Sequence, residues 1–168
     1  MTTNMRADIE FEVDCPSLVP GAAAWVLSRI PAGEPILSKP LLIRSTAEID
    51  GELDGQDLIG RALYNAEGRY VVEVAGHLDE ENARAIVAHE LAHVATGHLD
   101  AQRAARNVVD AAAARGDPLP EPPSGMVQRY MQDREAEVEE QVRAWGFVWV
   151  RRGGVLAFEH LPAGELGG

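Results

Sequence analysis

Cysteine, long apolar runs and positive charge are all scarce in this chain of 168 residues. A single cysteine, Cys15, excludes an internal disulfide and a cysteine-rich zinc site, and we interpret it as a small buried hydrophobe. No stretch approaches the roughly 18 consecutive apolar residues of a membrane span. The N-terminal sequence MTTNMRADIE lacks the apolar run of a secretory signal. A cytoplasmic protein is therefore expected.

The chain is strongly acidic, with 15 Lys and Arg against 27 Asp and Glu, for a formal net charge of −12. Such a field repels phosphate backbones, so direct nucleic-acid binding is disfavoured. It does not argue against protein partners. The length predicts one domain over residues 1–168, with its core over about 57–150.

The alternation of apolar and polar residues predicts an α+β fold. Residues 8–30 predict a strand and a helix, and Pro40 marks an edge strand or a bend in the extended segment ILSKPLLIRSTAEI. The segments LIGRALYN and RYVVEVAG predict a hairpin, and a second hairpin is predicted over Gly153-Gly154. Three helices are predicted: one over about 80–98 capped by Asp79, one from Asp100 to a stop at Gly116, and one from about Met126 to Trp145. The tail over 161–168 is predicted to be loose.

The sequence HELAH at positions 89–93 is the strongest chemical motif. His89 and His93 lie one helical turn apart, on the same face, where both imidazoles can bind one tetrahedral Zn²⁺. Glu90 is rotated by about 100° from His89, beside the metal, where it can take a proton from a bound water. Two exposed histidines on an amphipathic helix are the alternative. The surrounding Ala, Ile, Val and Leu favour burial, and burying these three groups without a metal is costly.

The other histidines fit a metal site less well. A metzincin pattern would need Gly and His at the positions of Thr96 and Leu99, so that pattern fails. His98 falls with the aliphatic face of the predicted helix, and we interpret it as structural, or as a cation at the helix C-terminus. His77 and His160 are interpreted as incidental.

A third ligand is expected from the acidic segment that begins near Met126. Its apolar positions form a helical stripe, and Glu135 fills the gap in the middle of that stripe. A carboxylate in a core-facing stripe is costly unless it binds a metal or a charged partner, which favours Glu135 as the ligand. Asp133 is the alternative ligand, and pairing of Glu135 with Arg134 is the alternative without metal. Glu139 could accept a hydrogen bond from a ligand histidine.

The segments ENARAIVAHELAHVATGH and REAEVEEQVRAWGF together resemble the ImmA/IrrE family of small zinc metallopeptidases, over about residues 57–147. The family pattern ExEA followed by an acid or Asn matches Glu135 to Glu139, with Val138 in place of the usual alanine. A register shifted to Asp133 keeps the alanine and loses the leading glutamate. The resemblance implies a zincin-like domain, with a small sheet packed on an active-site helix and a second helix that delivers a ligand. It also implies cleavage of protein targets, often helix-turn-helix repressors.

The sequence therefore predicts a zinc peptidase in which His89, His93 and Glu135 hold Zn²⁺ and Glu90 is the general base. Tyr130 is a candidate donor to the oxyanion, and RYVVEVAG is a candidate strand for binding an extended peptide. The alternative is a metal-binding module of a mobile element or toxin–antitoxin-like locus that binds a partner without cutting it. A structural protein without metal is a third interpretation.

Overall fold

The computed structural model describes residues 9–53, 56–119 and 124–162. Within these ranges the chain is a mixed α+β structure, which confirms the predicted class. No helix of the described ranges is long and apolar enough to cross a membrane. The elements are β1 Ile9–Val13, α1 Val19–Leu27, a 3-10 turn Pro35–Ser38, β2 Leu41–Thr46, β3 Glu52–Leu53, β4 Gln56–Asp57, β5 Gly60–Tyr64, β6 Tyr70–Ala75, α2 Glu80–Ala95, α3 His98–Arg115, α4 Ser124–Ala144, β7 Phe147–Arg152 and β8 Val155–His160.

The main sheet has four strands in the order β1-β2-β6-β5. β1, β2 and β6 are parallel, and β5 is antiparallel to β6, with Gly60 opposite Val74 and Tyr64 opposite Tyr70. This confirms the predicted hairpin. The strand RYVVEVAG forms β6, which β2 and β5 enclose, so its prediction as a peptide-binding edge is wrong. The free edge of the hairpin is β5.

Pro40 lies just before an interior strand. β2 pairs with both β1 and β6, so the expectation of an edge strand at Pro40 is wrong. The ladder begins at Leu41, one residue later, so the missing N–H of Pro40 costs no ladder bond. The carbonyl of Pro40 still accepts a hydrogen bond from the Tyr70 N–H at 3.0 Å.

Helices α1 and α2 cover one face of this sheet. Val26 of α1, Val72 of β6, and Val87 and Leu91 of α2 are all fully buried in this layer. Each such side chain stabilises the fold by roughly 1.5–3 kcal/mol relative to an exposed one. The aliphatic face predicted for the HELAH helix is therefore the face that packs on the sheet.

Ion pairs cover the opposite face of the sheet. Glu73 of β6 is only 6% exposed, and its carboxylate pairs with the guanidinium groups of Arg44 and Arg61. Arg44 also pairs with Glu12 at 3.0 Å. A buried carboxylate is tolerated where partners of this kind satisfy it.

The helix that carries HELAH is shorter than predicted. Asp79 caps α2 as expected, with its side chain accepting from the Asn82 N–H at 2.9 Å. The helix ends at Ala95 because Gly97 adopts a left-handed conformation with φ of 76°. His98 therefore begins α3, so its predicted place at a helix C-terminus is wrong. Asp100 lies in the first turn of α3 and is not its cap.

The C-terminal part of the described chain closes the core. Gly116 ends α3 with φ of 73°, as predicted. The predicted terminal hairpin is confirmed, since Arg152 pairs with Val155 across the two glycines. The Glu81 carboxylate of α2 accepts a hydrogen bond from the Phe158 N–H at 2.6 Å. This bond ties the hairpin to the N-terminal turn of α2. Residues 120–123, and residues 163–168 of the predicted tail, lie outside the described part of the chain.

Candidate metal centre

Three predicted ligands lie together between α2 and α4. His89 Nε2 is 3.2 Å from Glu135 Oε2, and His93 Nε2 is 3.3 Å from Glu135 Oε1. The two imidazole rings are 4.9 Å apart between centroids and nearly perpendicular. One nitrogen of each histidine and one carboxylate oxygen all lie within 4.8 Å of one another, so the group could hold a metal ion.

Local helix geometry and the packing of α4 produce this arrangement. The spacing of four residues places His89 and His93 on one face of α2. Val138, in the C-terminal half of α4, and Trp145, which directly follows the helix, hold α4 against the core and are 0% and 2% exposed. Glu135 lies one turn before Val138 and faces the histidines.

The apolar stripe that favoured Glu135 as the ligand is only partly buried in the structure. Met131, which the predicted stripe places on the core side, is 48% exposed. The Glu135 side chain is 47% exposed. Among the described side chains, the stripe is exposed at Met131 and becomes buried at Val138, and Glu135 stands at this margin. Asp133 is exposed and is not part of the three-ligand group.

Glu90 is the buried acid beside this group. Its residue exposure is 7%, and it lies under the edge strand β5. A Cβ at Gly60 would stand 2.9 Å from Glu90 Oε1 and 2.4 Å from Ile86 Cγ2, so the missing side chain makes room for the carboxylate. Burial, and secondarily the charge of Glu135, raises the pKa of Glu90 to about 8. Gly60 was not predicted as part of the site, because its only signal in the sequence is its place at the start of a strand.

His93 is held neutral near physiological pH. Burial, followed by the charges of His89, His98 and Arg134, lowers the pKa of its imidazole to about 4. A neutral imidazole keeps a free lone pair on one nitrogen, which a metal ligand needs. The Nε2 that faces Glu135 is therefore available to a cation.

An unexpected pair of side chains lies behind His93. The Nδ1 atoms of His98 and His93 are 3.4 Å apart, and His98 Nε2 is 2.7 Å from Glu137 Oε2. The sequence predicted no role for Glu137 at this site. Glu139, expected to support a ligand histidine, makes no hydrogen bond to His89 or His93 in the described part of the chain.

An open cleft runs past His89 on both sides of Trp149, which is 45% exposed on the terminal hairpin. On one side a cavity of about 480 Å³ has a largely apolar lining. Its lining includes Ala85, Val142, Phe147 and Phe158, with Glu139 and Arg143. On the other side the cleft reaches Gly60 and Glu90 along β5. His89 therefore opens onto a groove bounded by a free strand edge.

The remaining candidates lie elsewhere. Tyr130 is 51% exposed, and the Arg134 guanidinium lies 5.3 Å from its ring centroid. His160 Nε2 is 3.0 Å from the Trp145 carbonyl oxygen, and His77 lines a separate acidic cavity. Cys15 is only partly buried, against Ser45, which corrects its expected full burial.

Comparison of the chain with protein-family models, curated proteins and solved structures gave no match. The geometry of the site therefore has to carry the functional argument.

Proposed function

We propose that this chain is a zinc-dependent peptidase of the ImmA/IrrE type, with a zincin-like core that cleaves a protein target. The observation that carries the proposal is the placement of His89, His93 and Glu135 around one point, with Glu90 buried beside them. Two imidazoles and one carboxylate, with a fourth position open, make up a ligand set of catalytic zinc sites.

The separations between the ligand atoms suit zinc. Ligands about 2.0–2.2 Å from a tetrahedral Zn²⁺ are separated from one another by about 3.3–3.5 Å. The two histidine-to-Glu135 separations, 3.2 Å to Oε2 and 3.3 Å to Oε1, lie at or just below the short end of this range. One ligand atom from each of the three residues lies within 4.8 Å of the others, so one ion could be held among them.

The roles of the side chains follow from their placement. When bound, Zn²⁺ would polarise the scissile carbonyl and acidify the attacking water. Glu90 would take the proton from that water and pass it to the leaving amine. In the metal-free protein, burial raises the pKa of the Glu90 carboxyl to about 8, and a bound cation would favour the carboxylate that accepts the proton. A group of this kind can both accept and return a proton near neutral pH.

The groove supports an extended polypeptide as the substrate. β5 is the free edge strand next to Glu90, and an extended peptide can add to such an edge through main-chain hydrogen bonds. The apolar cavity beside Trp149 would take a substrate side chain close to His89. A helix-turn-helix repressor is the target that the family resemblance suggests.

The test compares the wild-type protein with Glu90→Gln. We expect both to bind Zn²⁺ equally, and we expect the variant to lose at least about 100-fold in cleavage of a repressor or a quenched peptide library. Glu140→Gln, which removes the same charge from an exposed position on α4, is the matched control and should cleave normally. Equal cleavage by wild type and Glu90→Gln would refute the proposed mechanism. Zinc binding without cleavage by the wild type would favour the non-catalytic metal-binding module.

A further inference from the structure

The two ring nitrogens of His93 have different partners. Nε2 faces Glu135 at 3.3 Å, within the three-ligand group. Nδ1 faces away from that group, 3.4 Å from His98 Nδ1. His98 in turn places its Nε2 2.7 Å from Glu137 Oε2. The three side chains thus form one chain of contacts from the candidate metal position to an acid on α4.

The break between α2 and α3 creates this chain of contacts. In a continuous α-helix, residues five apart point about 140° away from each other, so His93 and His98 would not meet. The left-handed Gly97 ends the helical path and turns His98 back towards His93. The rings reach a centroid separation of 5.6 Å.

We propose that His98 and Glu137 are positioning residues that hold His93 in the tautomer with hydrogen on Nδ1, which presents the lone pair of Nε2 to the metal. The inference rests on the proposed metal site. If Nε2 of His93 is the ligand, its neutral ring carries hydrogen on Nδ1 and donates to His98 Nδ1. His98 must then carry its hydrogen on Nε2, which donates to the Glu137 carboxylate. With hydrogen on Nδ1 of His93 and on Nε2 of His98, every ring nitrogen of the two histidines has a partner to which it donates or from which it accepts.

Burial explains why His93 has a protein partner of this kind. The His93 side chain is 16% exposed, whereas the His89 side chain is 32% exposed and can meet water. His98 is 6% exposed, so its ring is held by packing. A fixed acceptor orients a ligand imidazole and increases its basicity towards the metal.

Zinc affinity is the first test, measured by competition with a chromophoric chelator. His98→Phe and Glu137→Ala should each weaken the zinc affinity by roughly 10- to 100-fold. Glu137→Gln keeps an acceptor oxygen and should bind zinc nearly as the wild type does. Glu140→Ala removes the same charge from an exposed position on α4 and is the matched control. Glu137 is 62% exposed, so its replacement tests the contact without opening the core.

The second test reads the tautomers directly, by ¹⁵N–¹H NMR of the metal-free protein. We expect hydrogen on Nδ1 of His93 and on Nε2 of His98, and we expect His93 to lose this preference in His98→Phe. The inference would be overturned, and the metal site left standing, if His98→Phe and Glu137→Ala both bound zinc as tightly as the wild type. Hydrogen on Nε2 of His93 in the wild type would have the same consequence. No zinc binding by the wild type would overturn the metal site and the inference with it.

Discussion

Replacing Glu90 with glutamine should stabilise the metal-free protein, and increasingly so as the pH rises. Glu90 is 7% exposed, and burial raises the pKa of its carboxyl from 4.5 to about 8. The folded state therefore holds this proton more tightly than the unfolded chain does. Between these two pH values the unfolded chain ionises while the folded protein does not, so the wild type loses stability as pH rises.

The size of the effect follows from the two pKa values. At about 1.36 kcal/mol per pH unit, ionisation of Glu90 in the unfolded chain should lower the free energy of unfolding of the wild type by about 1 kcal/mol at pH 5 and about 4 kcal/mol at pH 8. Glutamine has nearly the same shape and does not titrate. Its amide adds a constant offset, so the quantity to compare is the change with pH. We expect the stability difference between Glu90→Gln and wild type to grow by about 3 kcal/mol over this range.

The assay is urea unfolding of chelator-treated protein at several values between pH 5 and pH 8. His93 also titrates with folding, but both proteins carry it, so its contribution cancels in the difference. Glu139→Gln is the control, and it should follow the wild type because an exposed carboxylate stays hydrated in both states. A stability difference that stays constant over this pH range would show that Glu90 is not desolvated, and would refute the reasoning.

Two further variants test the site and its surroundings. Loss of a ligand's hydrogen-bond partner lowers metal affinity by roughly 10- to 100-fold, and Glu135→Ala, which removes a ligand itself, should lower zinc affinity by more than that. Asp133→Ala should leave zinc affinity unchanged. The opposite result in a chelator competition would show that Asp133 is the ligand. Gly60→Ala should destabilise the protein by about 1–3 kcal/mol in urea unfolding and reduce cleavage, because its Cβ would press on Ile86 and Glu90. Gly33→Ala, where nothing lies within 4 Å of the added Cβ, is the control, and equal stability of the two variants would contradict the close packing at β5.

Features that depend on near neighbours in the chain were predicted well. Both hairpins, the Asp79 cap and the glycine that ends α3 follow from turn and capping preferences over a few residues. The pairing of His89 with His93 needs only the helical repeat. The choice of Glu135 used the same repeat, although part of the apolar stripe it invoked is exposed.

Apart from the closeness of Glu135 to the two histidines, features that depend on the meeting of distant segments were not predicted. A helical wheel that continued through Gly97 placed His98 on the wrong face, because the wheel assumes an unbroken helix. Sheet order made β5 the free edge instead of β6, since pairing with β2 cannot be read from the alternation of either strand. The closeness of Gly60 to Glu90 also depends on where β5 lies in the sheet, next to α2.

The sequence by itself determined the composition of the candidate site: two histidines one turn apart, an acid beside them and a helix rich in carboxylates. These are consequences of local periodicity, which each segment expresses without the others. Only the tertiary structure decided which carboxylate meets the histidines and which stands behind them, because that depends on how α4 packs against α2. Glu135 and Glu137 differ by two residues, yet one lies against His89 and His93 and the other against His98. Packing of the two helices, anchored by Val138 and Trp145, made that distinction.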